Sequence, residues 1–267
     1  MTATARSISR HGWVPDLPDH RDRIYNLEES ILAAHQLPGS VDLAAHMPPI
    51  YDQGQLGSCT GNGIARCLEY EAGRQGEPQA TPSRLFIYYG ERVIEGTVAQ
   101  DAGAQIRDGI KVAAADGAPP ETAWPYDISQ FTVKPPADAY AAAAAHKAIQ
   151  YRSIVVNGPG APMRTALTAG LPIVFGFSVP ATFEDGTWDP TTTPLPLPGP
   201  SDQIIGGHCV VITGYDFTRT RFPVAAFQCD NSWGAGWGIG GRFWMAWDWF
   251  DPWRGLASDL WVIDRVK

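Results

Sequence analysis

The sequence predicts an α+β protein, helical in its first half and strand-rich in its second. Three observations carry that expectation. From Cys59 to about residue 115 the apolar residues recur at helical spacing. After Arg152 they gather instead in short runs bounded by Gly, Pro and Asp. The chain is also large enough: 267 residues, 44% hydrophobic and 18% charged, supply the apolar surface for a sizeable core.

Residues 1–38 read as an arm. The stretch Trp13-Val14-Pro15-Asp16-Leu17-Pro18-Asp19-His20-Arg21-Asp22 has no helical or strand period, and its prolines forbid regular helix. Pro48-Pro49-Ile50-Tyr51-Asp52 leads into the turn-rich Gln53-Gly54-Gln55-Leu56-Gly57-Ser58. A helix then follows from Cys59 to Glu71, with Ile64, Ala65, Leu68 and Ala72 on one face. Further helices are predicted over about 82–94 and about 103–115, the second stopping near Gly117, and a short one over the alanine run ending at Ala145. The predicted strands are Ser153 to Val156, Ile173 to Val179, Cys209 to Tyr215, Val224 to Cys229 and Arg242 to Trp247. Residues 189–200 hold five prolines and form a long loop, since neither helix nor central strand tolerates them. No internal repeat is present.

Composition excludes several classes of function. A net charge of -8 lacks the basic footprint of a nucleic-acid binder. No apolar stretch approaches the roughly 18 to 20 residues that cross a bilayer, so no membrane partner is expected. Residues 1–19 contain no apolar block of the kind a secretory leader needs, which predicts a cytoplasmic protein or one exported without a Sec signal. Cys59, Cys67, Cys209 and Cys229 are too few and too irregular for a disulfide scaffold, and no CxxC pair suggests zinc. Neither metal nor cofactor is expected. His11, His20, His35, His46 and His146 have no evident partners and read as surface residues.

The chemistry concentrates at three places. Cys59 opens a helix behind a Gly/Ser loop, where unpaired N–H groups and the helix dipole favour a thiolate, the nucleophilic form. Gln53, six residues earlier, and the Cys59 backbone N–H are two donors for a developing oxyanion. Gly206-Gly207-His208 opens the strand Cys209 to Tyr215, and Asp230-Asn231-Ser232-Trp233-Gly234 turns after another strand. An asparagine bonded to the far ring nitrogen of a histidine fixes its tautomer, and a neighbouring indole shields that bond from water. Cys59, His208 and Asn231 are thus the parts of a Cys-His-Asn acyl-transfer site.

These motifs resemble those of the papain-type (C1) cysteine peptidases, and the bacterial-type branch in particular. The matching residues are Gln53-Gly54, Gly57-Ser58-Cys59, Gly207-His208, and Asn231-Ser232-Trp233-Gly234 followed by Gly236-Trp237-Gly238 and Gly241. Val41-Asp42-Leu43 resembles the start of the family's mature domain, and Gly117 through Glu121 to Trp124-Pro125-Tyr126 its mid-chain Tyr-Pro-Tyr. The interval from Cys59 to His208 suits the family, while Asn231 falls somewhat beyond the usual distance. The resemblance implies a papain-like two-lobe fold: a helical lobe over 39–150, an antiparallel β-barrel-like lobe over 151–267 with a C-terminal tail, and a cleft between them. It implies peptide-bond hydrolysis through an acyl-thioester: Cys59 as nucleophile, His208 as base and then acid, Asn231 orienting it, Gln53 in the oxyanion hole. Gly103, Gly207 and Trp233 would touch a peptide or protein substrate.

Departures from the family pattern set further expectations. Leu56 stands where the family has a cysteine, so its neighbouring disulfide is absent, in keeping with a reducing compartment or a branch without a Sec leader. Thr60 replaces an aromatic and is expected to open the cleft wall beside the thiol. Ala102-Gly103-Ala104 stands for the family's paired glycines. Strand alternation sends Cys209 and Cys229 to different sides, so core packing rather than a bridge is expected of them. The arm has two readings, a surface strap or a short pro-segment lying in the cleft as an intramolecular ligand. Two rival functions remain: a catalytically silent binding domain with the arm permanently seated, and an acyl transferase in which an amine captures the acyl-enzyme.

Overall fold

Alternation with period two in the second half of the chain builds one seven-stranded antiparallel sheet. The computed structural model describes residues 11–25, 37–77, 80–156 and 160–267. Of the arm, residues 1–10 and 26–36, His35 among them, lie outside the described residues. The strands are β1 (Ser40–Asp42), β2 (Ala148–Ile154), β3 (Ile173–Pro180), β4 (Ile204–Asp216), β5 (Ala226–Asp230), β6 (Arg242–Ala246) and β7 (Ala257–Val266). Their spatial order is β2-β7-β3-β4-β5-β6, and β1 adds to β4. The helices are α1 (Cys59–Arg74), α2 (Arg84–Glu95), α3 (Ile106–Ala115), α4 (Ala137–Ala143) and α5 (Ala161–Thr168).

Both faces of the central strands are covered, and alternation divides their side chains between two cores. Phe175, Phe177, Val210, Ile212, Leu260 and Val262 point to an aromatic-rich core with Trp233, Phe243 and Trp249. Val174, Cys209, Val211, Trp261 and Ile263 point the other way, against α1 and its Cys59, Ile64, Ala65 and Leu68. Cys209 and Cys229 therefore lie in different cores, and all four cysteines are free thiols. A buried ion pair ties α1 to the sheet: Arg66 donates to Asp230 at 2.7 Å, and Arg242 donates to the other Asp230 oxygen at 2.8 Å.

Helix positions agree with the periodicity, and local chemistry explains their ends. Ser83 caps α2 by accepting from the Phe86 N–H at 3.2 Å, and Gly96 stops that helix with a left-handed φ of 72°. Residues 189–200 form no strand, yet Leu195 is anchored by its N–H to the Trp244 carbonyl at 2.6 Å.

Several elements differ from expectation: the short β1 was not foreseen, and β4 begins at Ile204 rather than Cys209, which puts His208 inside the strand. The last ten residues are not a tail: β7 lies between β2 and β3, and its run Leu260-Trp261-Val262-Ile263 is buried. Strand β2 begins at Ala148 rather than Ser153: only its end residues Ala148 and Ile154 are buried, and the apolar Ile149 is exposed, so no alternation marks it. Helix α5 has eight residues, too few for a 3.6-residue repeat to stand out.

Candidate active site

Cys59 is the first residue of α1 and is 0% exposed. The preceding loop is held in place from outside: the Gly57 N–H donates to both Asp101 carboxylate oxygens at 3.1 Å, and Ser58 Oγ pairs with the Tyr126 hydroxyl at 2.5 Å. Thr60 is itself fully buried. Its side chain turns inward and donates to the buried Glu91 carboxylate at 2.8 Å, which is what a hydroxyl does where an aromatic would have packed outward.

Strand β4 carries His208 as its fifth residue, 1% exposed, immediately before Cys209, whose backbone N–H favours the Cys59 thiolate. His208 Nε2 and Asn231 Oδ1 are 2.8 Å apart, and the Ser232 N–H donates to the same amide oxygen at 2.8 Å. The Trp233 ring lies over the imidazole, centroids 5.0 Å apart and planes inclined by 33°. Gln53 is fully buried, its side-chain amide donating to the Leu56 carbonyl at 2.9 Å and its oxygen accepting from Ser232 Oγ. Its backbone N–H donates to the Ser232 carbonyl at 2.8 Å, so the Gln53 loop and the Asn231 corner are stitched together.

Residues 11–14 of the arm cross this site. The Trp13 N–H donates to the Gly207 carbonyl at 3.0 Å, and the Val14 N–H to the Ala104 carbonyl at 3.0 Å. In return the Ala104 N–H donates to the Gly12 carbonyl at 2.7 Å. The two hydrogen bonds at the Gly103 position thus come from Ala104. Gly103, at φ 73°, supplies the close approach: a Cβ there would sit 2.3 Å from the Gly12 oxygen. His11, expected on the surface, is buried against the site, 2.6 Å from Glu184 Oε1 and with its ring centroid 6.4 Å from that of His208. Sequence alone carried no sign of that pairing, since the partners are 173 positions apart.

With the arm seated the site is electrically quiet. Burial pushes the Cys59 thiol up to about 12, although the backbone N–H groups of Cys209 and Gly12 favour the thiolate. Burial also lowers His208 to about 3, against the Asn231 hydrogen bond and with His11 adding to the depression. The helix N-terminus predicts a thiolate, but desolvation outweighs it here. No group of three or more His, Cys, Asp or Glu side chains suited to a metal is found among the described residues. None of the described helices is long and apolar enough to cross a membrane.

No family model matches the chain. An uncharacterised peptidase C1-like protein of Acanthamoeba polyphaga mimivirus, however, is 35% identical across 97% of this chain and 88% of its own length. The chain belongs to the papain-like C1 cysteine peptidases. Among solved structures it is similar to xylellain, a cysteine protease from Xylella fastidiosa, with a TM-score of 0.85, 38% identity and 96% of each chain covered. Bromelain from Ananas comosus shares the fold, with a TM-score of 0.61 at 18% identity over 79% of this chain and 90% of the other.

This papain-like protein is a thiol-dependent peptidase. Sequence reasoning missed Asp101, Glu184 and Asp259. Asp101 and Glu184 act on loop and arm groups far along the chain, and Asp259 lies in the strand that was not foreseen.

Proposed function

We propose that this chain is a latent peptidase whose arm fills its own cleft and whose Cys59, His208 and Asn231 hydrolyse peptide bonds once the arm is displaced. His208 Nε2 is committed to Asn231, which leaves Nδ1 for the thiol proton. The sulfur attacks the carbonyl carbon, and the oxyanion is held by the Cys59 N–H and the Gln53 amide N–H not used by Leu56. His208 hands its proton to the leaving amine, and an acyl-thioester forms. Water, deprotonated by His208, then attacks that thioester and regenerates the thiol. The observation that carries this reading is the His208–Asn231 hydrogen bond under Trp233, with the thiol against the N–H of the residue after His208.

The arm itself escapes cleavage for a geometric reason. Gly12 turns its N–H toward the sulfur, while its own carbonyl is held by the Ala104 N–H, so the Gly12 carbonyl oxygen is committed away from the oxyanion donors. Displacing the arm lets water return, which lowers the thiol and raises the imidazole toward their ordinary values and makes the ion pair accessible. The test compares Gly12→Ala, which cannot seat the arm, with the same chain also carrying Cys59→Ala. Peptide hydrolysis by the first and not the second is the expected result. A labelled but hydrolytically inert Cys59 in the first supports the binding-domain reading instead, and ligation products with an added amine support a transferase.

A further inference from the structure

The loop from Gln53 to Cys59 carries the two oxyanion donors at its ends, with Gly54 and Gly57 between them and Gly54 at a left-handed φ of 64°. A loop of that composition does not fix the distance between its ends by itself. One hydroxyl does so from outside. Tyr126 Oη donates to the Gln53 backbone carbonyl at 2.9 Å, and with its single proton spent there it accepts from Ser58 Oγ at 2.5 Å. It therefore bridges the residue that bears one donor and the residue that precedes the other.

Arg84 repeats the grip at nearly the same two points. Its guanidinium donates to the Asp52 carbonyl at 3.2 Å and to Asn62 Oδ1 at 3.1 Å, and the Asn62 amide donates to the Ser58 carbonyl at 2.9 Å. The same guanidinium lies 3.9 Å from the centre of the Tyr126 ring. Tyr126 is anchored to a rigid element in turn, since Ser83, the cap of α2, donates its hydroxyl proton to the Trp124 carbonyl at 2.6 Å. The Trp124-Pro125-Tyr126 motif thus reaches the loop that ends at the nucleophile.

We propose that Tyr126 is a positioning residue for the oxyanion hole, its hydroxyl setting the separation of the Gln53 and Cys59 donors. This rests on the peptidase reading above. Two donors converge on one oxygen only when their spacing is right, and a displacement of about 1 Å can cost roughly 100-fold in rate. Burial raises the Tyr126 hydroxyl above its ordinary value, so it keeps its proton and remains a donor through the neutral range. Phenylalanine at this position keeps a ring beneath Arg84 but leaves the Gln53 carbonyl and the Ser58 hydroxyl without their shared partner, and the loop is released to shift.

The test uses the full-length Gly12→Ala chain and a peptidyl-aminocoumarin that it hydrolyses. Tyr126→Phe is expected to lower kcat by about tenfold or more and to leave KM within about twofold. Alkylation of Cys59 by iodoacetamide occurs at a saturated carbon and develops no oxyanion, so its rate is expected to stay within about twofold. Spacing matters only while both donors exist. Beside Gln53→Ala, the same Tyr126→Phe change is therefore expected to cost at most about threefold. Ser58→Ala breaks the bridge at its other end; it is expected to lower kcat by about threefold or more, and it decides the matter should a thermal melt show that Tyr126→Phe does not fold. A smaller loss of kcat, a loss that persists in full beside Gln53→Ala, or an equal loss of Cys59 alkylation overturns the assignment and spares the peptidase reading. No hydrolysis of any such substrate by the Gly12→Ala chain overturns both.

Discussion

Gly12→Ala is the sharpest probe of how the arm governs Cys59. The added Cβ would lie 1.7 Å from the Gly57 oxygen and 2.4 Å from its carbonyl carbon, and neither backbone is free to yield. Gly57 is held by Asp101 through its N–H, while Gly12 is held by Ala104 through its carbonyl. Inserting one methyl into a packed site typically costs 1–3 kcal/mol, and a clash with backbone belongs at the upper end, about 3 kcal/mol. At about 1.4 kcal/mol per tenfold, the open form gains roughly 100-fold in population. Because Cys59 is reached only from the open form, its alkylation by iodoacetamide at pH 7, followed by mass spectrometry, should accelerate by about that factor. Cys67, Cys209 and Cys229 are buried in the two cores and serve as internal controls. Labelling of all four signals global unfolding instead. A Cys59 rate within about twofold of the unsubstituted chain refutes gating by the arm.

Three other outcomes are expected. Arm docking should weaken as pH rises: burial first, and Asp259 second, push the Asp16 carboxyl up to about 7, with Arg107 and Trp261 opposing. Since the docked form holds that proton more tightly, docking is strongest below the ordinary carboxylate value and is lost progressively as pH climbs through about 7. Cys59 labelling relative to a small thiol should rise over that window, and Asp16→Asn should flatten the rise. Asn231→Ala removes the acceptor that fixes the His208 tautomer, and kcat in the Gly12→Ala background should fall by roughly 30-fold, about 2 kcal/mol, with little change in KM. Arg66→Ala strips the buried Asp230 of one partner and should destabilise the fold by about 3–5 kcal/mol in urea unfolding. An Arg66→Ala loss below about 1 kcal/mol would show that Arg242 and the Thr213 hydroxyl suffice to hold that carboxylate.

Sequence by itself determined the helical first half, five of the seven strands in outline, and the hydrogen-bonded pair His208 and Asn231. It could do so because the signals are local. A helical period starting at Cys59 places the thiol at a helix end, His208 directly precedes the apolar run Cys209 to Ile212, and Asn231 directly follows β5. Only the tertiary structure decided what covers the thiol and what charge it bears. Trp13 meets Asp259 across 246 positions, and His11 meets Glu184 across 173, so no local pattern announces either pairing. The protonation of Cys59 and His208 followed the same logic: the helix dipole is written in the sequence, but desolvation depends on a segment brought from the other end of the chain, and burial proved the larger effect.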